Sequence, residues 1–357
     1  MTNTAACQNR RRSIAAALLM AAVTLGGCPS GEAPQGGTEA TEVVVYVAVD
    51  RPDSEPILDR FQAQTGIRVR ALYDVEAAKT TGLVSRLLAE AAKPRCDVFW
   101  NNEIVGTLLL AERELLEPYR SPAAADIPEE LKADDGSWTG IASRARVIVY
   151  NTKHVKPEEV PQSLFQLTDG KWRGKVAVAQ PQFGTTRTHV AALFAALGPP
   201  RAQRFLEDLL ANDVRIVDGN AMVKNLVARA HPDASPIYVG LTDTDDVLSG
   251  QADGEPVAMV YPDQDSLGTL VIPSTVCLIR GAPHPDAARK LIDYLVGPEV
   301  ESQLAGGRAG FIPVRPDAPA GKAVSQLGLP RPMTLSRQAL LEQLEPSSRW
   351  TREHFHP

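Results

Sequence analysis

The chain has 357 residues, of which 44% are hydrophobic and 22% charged, with a formal net charge of −6. That length exceeds one ordinary domain and suits two lobes behind a leader. The acidic balance and the lack of long like-charge runs exclude a polyanion-binding role, so no nucleic-acid partner is expected.

The first element is a leader. Arg10, Arg11 and Arg12 precede an apolar stretch from Ile14 to Leu25. A spanning helix needs roughly 20 apolar residues, so this stretch is too short to be one. It ends in Leu25-Gly26-Gly27-Cys28, small residues before a cysteine, the pattern read by lipoprotein signal peptidase. Residues 1–27 are therefore expected to be a lipoprotein signal peptide on the general secretory route, with Cys28 lipidated. An ordinary signal peptide with a chance cysteine is the alternative. The Pro/Gly-rich run to residue 41 completes a tether over 28–41 that spans roughly 20 Å. The head would sit in the periplasm or cell envelope, touching the membrane only through the lipid. Of the other cysteines, Cys7 leaves with the leader, and Cys96 and Cys277 read as two buried free thiols, since no CxxC motif is present.

Beyond the tether, strands and helices alternate. Val43 to Ala48 is a continuous apolar run, hence a buried strand. A helix follows, capped by Asp53 or Ser54, with Pro56 in its first turn and Gly66 at its end. The pattern then predicts a strand at 67–71, a helix at 76–92, a strand at 97–100 and a helix at 103–113. After Trp138 come strands at 147–150 and 175–179, helices at 186–197 and 200–211, and strands at 237–242 and 257–261. A strand at 271–279 and a helix at 285–296 look like a return to the first lobe, and the tail turns helical near 335–344. The expectation is an α/β fold of two lobes, each a mixed, mostly parallel sheet flanked by helices. Lobe 1 would take residues 42–142 and, with the tail, 265–357. Lobe 2 would take 143–264. Crossing segments fall near 140–146 and 262–272, and the ligand cleft lies between the lobes.

Several stretches, in order, resemble the ferric-iron-binding periplasmic proteins, within the type II extracellular solute-binding class. They are Tyr46 to Asp50, Phe61 to Val69, Asp97 to Trp100, Arg144 to Asn151, Trp172 to Lys175 and Leu291 to Leu295. The resemblance implies a two-lobed fold that closes about a hinge, a monomer, and delivery of a small charged ligand to the permease and ATPase of an ABC transporter. It also implies metal-ligand positions. The family's histidine position falls on Asp50. Its glutamate falls near Asn101, Asn102 and Glu103. Its paired tyrosines fall on Asp245 and Asp246.

If Asp50, Glu103, Asp243, Asp245 and Asp246 converge, their mutual repulsion calls for a cation. A hard ion with oxygen ligands fits: Fe³⁺, Mn²⁺ or Ca²⁺. Tyr150 and Tyr238 could add phenolates. The string Thr242 to Asp246 could equally be a solvated turn in which Asp caps a helix. A second set favours anions. Arg144 and Arg146 can fork onto a carboxylate or phosphate. Gly184-Thr185-Thr186 and Asp218-Gly219-Asn220 each precede a helix, although Thr185 and Asn220 could be plain N-caps. Thr244 and Asn101 complete the ligand-binding set. Both poles could hold a metal with a synergistic anion. They could instead hold one organic anion, such as a phosphonate or sugar phosphate. No GxSxG, HExxH or Walker sequence occurs, and the six histidines are scattered, so a secreted enzyme is not expected. His189 reads as packed or surface-lying rather than as a base. A sensor lipoprotein stays open as another class.

Overall fold

The computed structural model describes residues 42–74 and 81–355. The leader, Cys28 and the tether lie outside the described residues, as do residues 75–80, which include 76–80 of the expected second helix. No described helix is long and apolar enough to cross a membrane.

Strand β1 (Glu42–Val47) buries Val43, Val45 and Val47 on one face and Tyr46 on the other, as a central parallel strand must. Helix α1 (Arg51–Thr65) starts earlier than the sequence suggested. Asp50 takes the N-cap position and Pro52 lies in the first turn, leaving Pro56 inside the helix. Pro52 is tolerated because first-turn N–H groups have no intrahelical acceptor, whereas Pro56, past that turn, forgoes the bond that an N–H there would give to the Pro52 carbonyl. Gly66, at φ 72°, ends the helix as expected. Strand β2 (Arg68–Tyr73), helix α2 (Thr81–Ala89), strand β3 (Val98–Asn101), helix α3 (Ile104–Glu112) and the short β4 (Leu116–Glu117) complete the first half. β2 and β3 flank β1, both parallel to it.

The crossing expected near 140–146 is itself a strand. β5 (Thr139–Asn151) runs unbroken for 13 residues, nearly all of them buried. The second half follows: β6 (Val176–Ala179), α4 (Gly184–Leu197), α5 (Pro199–Ala211), β7 (Arg215–Val217), α6 (Asn220–Ala228), β8 (Val239–Asp243), α7 (Thr244–Ala252) and β9 (Val257–Val260). The chain then returns through β10 (Val271–Ile279), α8 (Pro285–Leu295) and α9 (Pro298–Gly306), and ends in α10 (Lys322–Leu327) and α11 (Arg337–His354).

The sheet order is β2-β1-β3-β10-β5-β8-β6-β7, with β4 on β10 and β9 on β5. β5 serves both halves. Its Thr139–Ala145 segment pairs with β10, and its Arg146–Asn151 segment pairs with β8 and β9, all antiparallel. The switch between partners falls between Arg144 and Arg146. α11, about which the sequence said little, packs along α4. Gln182 Nε2 donates to the Thr351 carbonyl at 3.1 Å, Arg187 Nε donates to Ser348 Oγ at 3.0 Å, and Trp350 meets Phe194. Cys96 and Cys277 are both buried free thiols.

This topology positions a site. β1 and β3 in the first half, and β6, β7 and β8 in the second, end in segments that supply lining residues: Asp50, Asn102, Gln180, Asp218 and Asp243. Open α/β sheets bind ligands beyond the carboxyl ends of their strands for this reason.

Candidate functional site

A cavity of about 50 Å³ lies there, with room for roughly four water-sized groups. Its walls include Asp50, Asn102, Arg144, Thr185, Thr186, Asn220, Asp243, Asp245 and Asp246. These nine residues, all named from the sequence, are thus brought together.

The centre is Asp243, at the end of β8 opposite Arg146 in the β5 register. Its Oδ1 accepts from Arg146 Nη1 at 2.7 Å. Its Oδ2 accepts from Thr185 Oγ1 at 2.6 Å and Asn220 Nδ2 at 2.9 Å. Arg146 Nη1 also donates to Thr185 Oγ1 and Asn220 Oδ1, and its Nε reaches His189 Nδ1 at 3.4 Å. Burial pushes the Asp243 carboxyl up, but Arg146 and Arg144 outweigh it and hold the carboxyl below the usual aspartate range. His189 is buried on α4, and burial with the neighbouring Arg146 pushes it down to about 3, so it stays neutral. It is a packed residue, as the sequence reading had it.

Gly240 lets α6 sit close enough to bring Asn220 in. A Cβ there would fall 2.9 Å from the Ala177 carbonyl and collide with Val223 of α6. Neither Thr185 nor Asn220 is an N-cap. Phe183 and Gly219 hold those positions, and neither gives a side-chain cap to its helix. The first-turn N–H groups of α4 and α6 therefore border the cavity without a side-chain cap from their own helix.

Asp245 and Asp246 lie in the first turn of α7, where the helix dipole favours negative charge. One carboxylate oxygen from each of Asp243, Asp245 and Asp246 falls within 4.8 Å of the others. Thr242 Oγ1 donates to Asp246 Oδ2 at 2.8 Å. Arg144 is buried and forked: Nη1 donates to Asp245 Oδ2 at 2.6 Å and Nη2 to the Asn102 carbonyl at 2.7 Å. Burial opposes its charge, but Asp245, Asp243, Asp50 and Asp246 raise its pKa above the usual arginine value. Five carboxylates line the cavity, those of Asp50, Asp218, Asp243, Asp245 and Asp246, against the one guanidinium of Arg144. Counting Arg146 behind Asp243, negative charge is still in excess by three.

Other expected residues stand elsewhere. Glu103 is the N-cap of α3: Oε2 accepts from Val105 N at 2.8 Å and Oε1 from Gly106 N at 2.7 Å, while Thr188 of α4 donates to Oε2. Burial raises its pKa despite these bonds. Glu103 lines a separate cavity between α2, α3 and α4. Asn101 is buried against Thr107, to which its Nδ2 donates at 3.1 Å. Thr244 is buried and accepts from Ala145 N at 3.2 Å. Tyr150 pairs with Val239, four residues along β5 from Arg146, or roughly 13 Å away at strand rise. Tyr238 packs on His154. No tyrosine, histidine or cysteine is among the described lining residues. Gln180 and Phe183 line the cavity without having been singled out. Their place just after β6 was the available signal, since loops at strand carboxyl ends build such crevices.

Residues 107–329 match the family described as bacterial extracellular solute-binding protein. The chain is 29% identical to Iron uptake protein A1 of Synechocystis over 91% of this chain and 90% of that one. It is 24% identical to the Major ferric iron-binding protein of Neisseria meningitidis, over 77% of this chain and 81% of that one. The ferric binding protein of Campylobacter jejuni superposes with a TM-score of 0.77 at 21% identity, covering 87% of this chain and 98% of that one, which establishes the periplasmic-binding-protein fold. Fold and family agree, and with them the expectation that this is not an enzyme: the chain belongs to the bacterial extracellular solute-binding proteins.

Proposed function

We propose that this protein captures a hard metal cation, ferric iron first among the candidates, and delivers it to the permease and ATPase of an ABC importer. The observation that carries the reading is the trio Asp243, Asp245 and Asp246, with oxygens within 4.8 Å of one another in a cavity whose charge is negative in excess. Such carboxylates repel unless a cation joins them, and an all-oxygen donor set selects Fe³⁺, Mn²⁺ or Ca²⁺ over softer metals. The named relatives are iron proteins, which supports iron within that class. Lobes of residues 42–142 with 265–357, and 143–264, would close on the cation about β5 and the return segment. Cys28 would tether the head to the membrane.

A small oxyanion accompanies the cation in this reading. Arg144 Nε is buried and has no acceptor among the described residues, and the α4 and α6 N-termini border the same cavity. The same features support the second reading, a small organic anion as sole cargo. Calorimetry separates the two. Fe³⁺ supplied as its nitrilotriacetate complex, Mn²⁺ and Ca²⁺ are titrated in turn, then phosphate and 2-aminoethylphosphonate without metal. The cation reading predicts one metal per chain, lost in the Asp245→Ala, Asp246→Ala double variant with folding intact. Unchanged metal affinity in that variant rejects it. Metal-free phosphonate binding that disappears in Arg144→Ala would establish the second reading instead.

A further inference from the structure

We propose that Arg144 is a specificity-determining residue: a built-in counter-ion that competes with the cargo cation for Asp245, so that only multivalent ions are retained. The proposal rests on the cation reading above and concerns which cations the site accepts.

The two arginines of β5 are held differently. Arg146 is fully buried, and its side-chain bonds among the described residues run to the second half: Asp243, Thr185, Asn220, His189, Thr186 and the Leu241 carbonyl. It is a fixed part of the wall. Arg144 has one prong on each half. Its stem is anchored where β5 pairs with β10, opposite Ile272. Nη2 takes the Asn102 carbonyl after β3, and Nη1 takes Asp245 on α7. Nη1 also lies 3.9 Å from Asp243 Oδ2. The guanidinium therefore stands against two of the three carboxylates that a cation needs. A guanidinium does not lose its proton in proteins, so it can be displaced from Asp245 only by outcompetition.

That competition sorts ions by charge. A monovalent cation offers Asp245 no more charge than Arg144 already does, and it must also be stripped of water. A divalent or trivalent ion draws on all three carboxylates at once and wins the exchange. Because both prongs form one planar fork, the Arg144–Asp245 pair also joins the two halves when no cation is bound. Cation entry replaces that link by one through the metal.

The test uses the mature chain with Mn²⁺ as probe, in buffers of equal ionic strength made with sodium chloride or tetramethylammonium chloride. Wild-type affinity should be the same in both salts. Arg144→Gln should bind Mn²⁺ about tenfold more tightly in tetramethylammonium, the scale of one removed ionic competitor, and should lose that gain in sodium. Arg144→Lys keeps the charge without the fork, and its affinity should lie between the two. It also serves if the glutamine variant does not fold. Equal or weaker Mn²⁺ binding in the folded variants overturns the role of Arg144 alone. Failure of every form, wild type included, to bind Mn²⁺ or Fe³⁺–nitrilotriacetate overturns the cation reading and this proposal with it.

Discussion

The two walls of the cavity are built to different standards. On the side of β8, α4, α6 and α7, the polar groups are buried and interlocked. Asp243 alone takes three donors, and Thr185 and Asn220 each bond both Asp243 and Arg146. On the side of β1 and β3, the chain offers an exposed Asp50 at the start of α1 and a backbone carbonyl at Asn102. Buried networks of this kind fix geometry in advance, while ionic contacts of an exposed carboxylate contribute little. The second half is thus the more preorganised of the two walls.

The largest test of that contrast removes the centre of the second-half wall. Asp243→Ala strands the buried Arg146 charge, so unfolding free energy should fall by about 3–5 kcal/mol. Chemical denaturation checks it, and a loss below 1 kcal/mol would mean that the network is not a unit. Acid should also act through that wall. The unfolded chain protonates His189 below about 6.5, whereas the folded chain resists down to about 3. Stability should therefore drop as pH falls through that window, with a limiting slope of about 1.4 kcal/mol per unit. Asp243, held below its usual range, adds a further loss only below about pH 4. Melting curves across pH 3–7 should show a weaker slope in His189→Gln. At the first-half wall, Asp50→Ala should leave stability within about 0.5 kcal/mol. It should weaken cation affinity about tenfold, mainly through faster release. An equal loss of stability and affinity would erase the distinction between walls. The smallest effect is spectroscopic: with no tyrosine among the described lining residues, the ferric form should lack a phenolate charge-transfer band.

Much of this was legible in sequence. The alternating strands and helices, and the return at 271–279, follow from apolar periodicity and turn residues. The nearness of Asp50, Asp245 and Asp246 was expected from ordered likeness to a known family, whereas Arg144 and Asp243 were singled out by their chemistry and place in the chain. What stayed hidden was hidden for physical reasons. A glutamate before an apolar helix reads alike as metal ligand or N-cap, and Glu103 bonds the α3 N–H groups. Strand register decides that Tyr150 lies too far along β5, and register is not written locally. A strand passing from one half to the other cannot be told from a hinge by composition, so β5 exceeded its expected length. The packing of α11 on α4 is a long-range contact with no local signal.

The central claim is that both walls close on a metal ion held by Asp243, Asp245 and Asp246. Native mass spectrometry with elemental analysis, on protein purified without a metal-binding tag, tests it most directly. The account predicts one hard metal ion per chain, missing from the Asp245→Ala, Asp246→Ala variant. Wild-type protein that carries an organic anion and no metal would contradict it.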